Sequence, residues 1–236
     1  MARVGLNLKR IFQKEEAPRH PFKQFNALNL MEKDRLREIL LFKEREIFSR
    51  ANYSFEDKKV FFLHEPGTVP LAERIVSGKG YCLHYQARAD PSVSLSGPYF
   101  FPICGDLKPL SISSGVFDAA VIPGASRFDR DPLPLFPEVV RGLKNGGRLF
   151  LTVIHPALEL FLTNQNPASV ARVRLGLEQY ASALGSHQLF LESIREELID
   201  AETKPFIEEE DFQELKGIPL VLYLRAVKYV KEENGL

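Results

Sequence analysis

The chain of 236 residues has no tryptophan, only two cysteines and no net formal charge. Each shortage removes a class of function. A balanced charge gives no electrostatic footprint for nucleic acid or an anionic membrane surface. Cys82 and Cys104 have no second pair with which to build a disulfide framework or a zinc knuckle. Both lie in apolar, strand-like surroundings, which suits buried thiols in a reducing compartment. Long apolar runs are missing too: even IPLVLYLRAVKYV is interrupted by Arg225 and Lys228, so no segment reaches membrane-spanning length. The start, MARVGLNLKRIFQKEE, has neither the apolar core nor the small-residue cleavage site of a secretory signal. A cytoplasmic protein is expected. No Gly-x-Ser-x-Gly elbow, Walker loop, Cys-x-x-Cys or Gly-x-Gly-x-x-Gly occurs, which leaves hydrolase, nucleotidase, thiol-redox and nicotinamide readings without support.

What is present is a hydrophobic fraction of 44%, enough to bury a full core in one large domain with an extension. Residues 1–55 read as a basic arm followed by an amphipathic helix, and residues 56–236 as an α/β domain. Asn29 to Glu32 has capping-box spacing, and Leu36, Ile39, Leu40, Ile47 and Phe48 recur at helical intervals toward a stop near Asn52. Strands are expected at Val60–Leu63, at Tyr81–Ala87, within YFFPICGDLKPL (Tyr99–Leu110), at Val116–Ile122 and at Arg148–Ile154. Helices are expected between Pro70 and Ser77, between Leu135 and Leu143, and from Ala168 to a stop at Gly185. Two more strands, around Ile194–Ile199 and Pro219–Tyr229, flank an acidic stretch containing Glu208-Glu209-Glu210-Asp211. Alternating short strands and helices predict a mostly parallel sheet covered on both faces. The basic first fifty residues and the acidic segment from Glu192 to Glu214 are candidate protein-contact surfaces.

The block GDLKPLSISSGVFDAAVIPGA, followed by LPLFPEVVRGLKNGGRLFLTVIHP, resembles the middle of a class I S-adenosylmethionine-dependent methyltransferase. Gly105-Asp106, Phe117-Asp118 and Leu143-Lys144-Asn145-Gly146-Gly147-Arg148-Leu149 stand where that family carries its Gly-Asp, Phe-Asp and glycine-rich turn. The resemblance covers Val60 to Pro156 and implies a Rossmann-like seven-stranded sheet, the seventh strand antiparallel, with ligands at the carboxyl ends of the strands. It also implies a cofactor, S-adenosylmethionine, and a set of residues to hold it. Within VFFLHEPGTVPLAERI the family's Gly-x-Gly-x-Gly loop is reduced: Glu65 takes the first glycine position, Gly67 the second and Val69 the third, and Pro66 removes an amide donor. Glu65 is the candidate partner for the cofactor's ammonium group. Gln86 stands where the family presents an acid to the ribose hydroxyls, and an amide there lacks the charge that strengthens such bonds. Asp106 matches the acid that accepts from the adenine amino group.

Three histidines, His64, His84 and His155, lie in or beside expected strands without the spacing of a metal triad. His155 alone is a candidate general base, although His-Pro can equally close a strand. Among the eighteen phenylalanines, Phe100, Phe101, Phe128 and Phe136 stand near the expected ligand edge, as pocket, interface or core. Two functions remain open: an interaction or regulatory subunit on a methyltransferase scaffold with a degraded cofactor loop, and an active methyltransferase with an atypical one.

Overall fold

A computed structural model describes residues 33–63, 68–86, 95–104, 112–124, 135–158 and 177–229. Seven strands form one sheet: β1 (Lys59–Leu63), β2 (Tyr81–Gln86), β3 (Phe100–Cys104), β4 (Phe117–Ile122), β5 (Leu143–Ile154), β6 (Leu189–Leu198) and β7 (Pro219–Lys228). Their order is β3-β2-β1-β4-β5-β7-β6. The five strands from β3 to β5 are mutually parallel, and β7 runs antiparallel to both β5 and β6. This is the Rossmann-like arrangement expected from the sequence, with its reversed last strand. The order turns back between β1 and β4, which places a crevice at the carboxyl ends of these strands.

Strand β1 explains the layering. Val60, Phe61, Phe62 and Leu63 are all buried, because a central parallel strand is covered on both faces. Each such side chain contributes about 1.5–3 kcal/mol relative to an exposed one. Phe61 and Leu63 join Tyr85, Ile122 and Leu151 beneath α3 (Phe136–Gly142) and α4 (Leu177–Ser186). Val60 and Phe62 join Val121, Phe150 and Tyr223 on the opposite face, beneath α1 (Lys33–Ser49) and α2 (Val69–Ser77). A third cluster packs Leu36, Ile39 and Leu40 of α1 against Phe212 and Leu215 of α5 (Glu209–Leu215), with Ile199 and Leu220.

The sequence motifs acquire physical roles at the amino end of the sheet. Asp118 accepts from the Lys59 backbone amide at 2.8 Å and from Lys144 Nζ at 2.6 Å, joining the starts of β1, β4 and β5. Burial pushes its carboxyl up, but the Lys144 and Lys59 hydrogen bonds and the Lys144 and Lys58 charges outweigh it and hold the group below its ordinary value. The expected turn at Asn145-Gly146-Gly147 lies inside β5. Pairing jumps from Phe117–Leu143 to Ala119–Arg148, so residues 144–147 bulge out of the ladder. Gly146 adopts φ +78° there, and a Cβ on Gly147 would sit 2.9 Å from the Lys144 carbonyl oxygen.

Several boundaries differ from expectation. Helix α1 ends at Ser49, and Asn52 follows in the left-handed region at φ +40°. Helix α4 runs through Gly185 to Ser186; the reversal is made by Gln188, at φ +57°. Strand β6 begins at Leu189, not near Ile194, because a bulge between Leu191 and Ser193 breaks the alternation that would announce it. Cys104 is exposed, whereas Cys82 is buried and its thiol is pushed up to about 12 by burial. Asn29, Glu32 and residues 168–176 lie outside the described residues.

Candidate functional site at the carboxyl edge of the sheet

Four strand ends, those of β1, β2, β4 and β5, define the edge. After Leu63 the chain returns to the described residues at Thr68, which is buried and precedes α2. Glu65 and Gly67 lie outside those residues. The start of α2 is poor in donors: Pro70 has no N–H, and the Leu71 amide is spent on the Thr68 carbonyl at 2.9 Å. Thr68 makes no side-chain cap to the helix, and Val69 is half-buried in the first turn.

Gln86 closes β2 and is buried. Its Nε2 lies 3.3 Å from His84 Nδ1. An amide nitrogen only donates, so Nδ1 accepts and the imidazole proton sits on Nε2. The ring is held between Phe62, stacked at 5.4 Å, and Phe100 at 5.0 Å. The Gln86 amide is thus turned back along its strand onto a buried histidine. Asp106 lies outside the described residues, so of the four cofactor positions read from the sequence the structure places Gln86.

At the ends of β4 and β5 a second relay runs inward. The Gly124 amide donates to Thr152 Oγ1 at 3.1 Å, and the Thr152 hydroxyl donates to Glu44 Oε1 of α1. Thr152 and Glu44 are fully buried. A Cβ at Gly124 would approach the Thr152 carbonyl oxygen to 2.6 Å, so the post-β4 turn fits closely against β5.

His155 follows β5, and both ring nitrogens are engaged. Nδ1 accepts from the Ala157 amide at 3.1 Å, and Nε2 faces Glu196 Oε1 at 3.2 Å. This places the proton on Nε2 and occupies the lone pair that a general base would use. His155 therefore closes the strand. His64 lies outside the described residues, and His84 and His155 are separated by the width of β1 and β4. Among the described residues no three side chains are placed to hold a metal ion.

The cluster that sequence reasoning missed lies where α1 crosses the end of β6. Lys43, fully buried, has its Nζ 2.7 Å from Asp200, 3.5 Å from Glu202 and 3.8 Å from Glu197. Arg50 adds bonds to Glu202 at 2.8 Å and Glu46 at 3.0 Å. Burial raises the Glu197 carboxyl, with Lys43 and Arg50 pulling the other way. The signal was in the helix period: Lys43 and Glu44 fall on the stripe of Ile39, Leu40, Ile47 and Phe48. Charged residues on an apolar stripe need buried partners.

No family model matches the chain, and no curated protein matches it in sequence. Solved structures match it in fold. An S-adenosylmethionine-dependent methyltransferase from Mesorhizobium loti superposes with a TM-score of 0.61 at 16% identity, over 79% of this chain and 98% of its own. In a Haloferax volcanii complex between the Trm112 methyltransferase activator and a methyltransferase, the matching chain gives 0.53 at 15% identity, over 79% and 94%. The cyclase SpnF gives 0.54 at 15% identity, over 80% and 81%. The chain has the class I S-adenosylmethionine-dependent methyltransferase fold.

Proposed function

We propose that the chain is a non-catalytic, cytoplasmic member of this architecture that acts as an interaction or regulatory subunit. The observation that carries the reading is Gln86. The end of β2, which the resemblance assigns to the ribose, presents a buried amide bonded to His84 in place of a carboxylate. A neutral amide already engaged this way gives less to a hydroxyl pair than an ionised acid. The start of α2 adds to the misfit, with one amide missing and one spent. These residues do not fit a tightly held S-adenosylmethionine. Fold alone does not supply activity, and the match to a cyclase agrees with that. The partner role is consistent with the Haloferax volcanii complex, in which a methyltransferase of this fold meets an activator protein.

The second reading, an active methyltransferase with an atypical loop, draws on the polar residues retained at the cofactor positions, Glu65, Gln86 and Asp106. Calorimetric titration of the purified, folded protein with S-adenosylmethionine and S-adenosylhomocysteine separates the two. No heat at millimolar ligand is the expected result. Micromolar binding that Asp106→Ala abolishes would overturn the non-catalytic reading in favour of the enzyme.

A further inference from the structure

The bulge in β5 carries a chemically labile pair, Asn145 followed by Gly146, and both residues are exposed. The ladder to β4 skips from Leu143 to Arg148, and the ladder to β7 begins at Arg148, so Gly146 lies outside both. The side-chain amide carbon of any asparagine stands, by covalent geometry alone, within reach of the next residue's backbone nitrogen, and joining the two closes a five-membered ring. In a regular strand two things hold that closure back. A Cβ on the following residue crowds the ring, and ladder hydrogen bonds resist the turning of the peptide that closure requires. Glycine removes the first obstacle and the bulge removes the second. Solvent at the exposed pair supplies hydroxide and water.

We propose that Asn145 is a site of spontaneous deamidation, and that its isoaspartyl product loosens the junction of β4 and β5. The Gly146 backbone nitrogen gives its proton to hydroxide and attacks Asn145 Cγ. The N–Cγ bond forms, the Cγ–Nδ2 bond breaks, and the side-chain nitrogen leaves as ammonia after taking a proton from water, which restores the hydroxide. Water then opens the imide. Cleavage at Cγ leaves aspartate on an unchanged main chain; cleavage at the main-chain carbonyl of residue 145 leaves isoaspartate, whose main chain is longer by a methylene. The bulge has little slack for that length, since a Cβ on Gly147 would already lie 2.9 Å from the Lys144 carbonyl oxygen and 3.2 Å from that of Phe117. The displaced residue is Lys144, whose Nζ holds Asp118 at 2.6 Å. Either product also adds a carboxylate that competes with Asp118 for that ammonium.

The test ages the folded, full-length wild-type chain at neutral and at mildly alkaline pH, and follows Asn145 by peptide mapping with fragmentation that separates aspartate from isoaspartate. A synthetic peptide of residues 143–148 is the reference. The expected result is conversion within about tenfold of the peptide's rate, faster at the higher pH, because a segment outside both ladders opens at little cost. Slower conversion than that would overturn the proposal, since the fold would then be holding the pair apart. The isoaspartyl fraction, separated from the aged protein, should unfold at lower urea than the Asn145→Asp variant, which carries the same charge on a main chain of ordinary length. Equal midpoints would show that the added length is absorbed within the bulge, and would overturn the loosening of β4 from β5.

Discussion

The two ends of the sheet have been treated differently. At the amino end, Asp118, Lys144 and the Gly146-Gly147 bulge keep the residues that carry the family resemblance, and each has a structural task. At the carboxyl end, polar groups among the described residues are engaged within the chain: Gln86 with His84, Thr152 with Glu44, and His155 with the Ala157 amide and Glu196. Among the described residues, those that carry the resemblance at the amino end serve strand registration.

The largest test of this contrast is Lys43→Met. Removing a fully buried cation leaves Asp200 without its 2.7 Å partner, and Glu197 and Glu202 with Arg50 alone. Asp200 and Glu202 keep 42% and 48% of their side-chain surface, so water relieves part of the penalty. The expected loss is about 2–4 kcal/mol, measured by urea unfolding. An unchanged midpoint would show that α1 is held by its apolar stripe alone. Asp118→Asn should cost about 1–2 kcal/mol. Its carboxyl is held low in the folded chain, so its contribution is complete above the unfolded value near 4 and fades as pH falls through the lower folded value. The variant's stability should therefore depend less on pH in that acidic window than the wild type's. An identical pH profile would remove Asp118 from the account of the amino end.

At the carboxyl end, Gln86→Asp and Val69→Gly act in the opposite sense. Each should raise S-adenosylmethionine affinity by about tenfold if the cleft is only obstructed, read by the same titration as above. No gain in the double variant would mean that the edge has been rebuilt beyond those two positions. The smallest effect is chemical. Cys104 should react with a disulfide reagent in the native protein while Cys82 reacts only on unfolding, because burial pushes the Cys82 thiol up to about 12. Two fast thiols would show that the β2 end of the sheet opens readily.

The architecture was legible because its signals are local. Apolar runs such as VFFL and FDAAVI, and the glycine turn before RLFLTVI, specify strands and their covering helices without distant information. The candidate site was legible only in part. That Gln86 replaces an acid can be read directly, but that its amide returns to His84 depends on the stacking of Phe62 and Phe100, which come from two other strands. Likewise, Lys43 and Glu44 stand out on the stripe of α1, yet their partners lie more than a hundred residues away. The bulges at Phe117/Ala119 and Leu191/Ser193 blurred strand limits because one extra residue breaks a period of two.

Helix α1 also sets a clock. Lys43 and its bonding partner Asp200 are separated by 157 residues, and Phe48 meets the ring of Tyr223 only when the last strand arrives. At ~5–20 residues per second on the ribosome, the helix waits about 8–30 s between leaving the exit tunnel and finding Asp200. Throughout that interval Ile39, Leu40, Ile47 and Phe48 lack the β7 surface that covers them in the finished protein. Helix α1 can therefore complete its packing only after nearly the whole chain has been made.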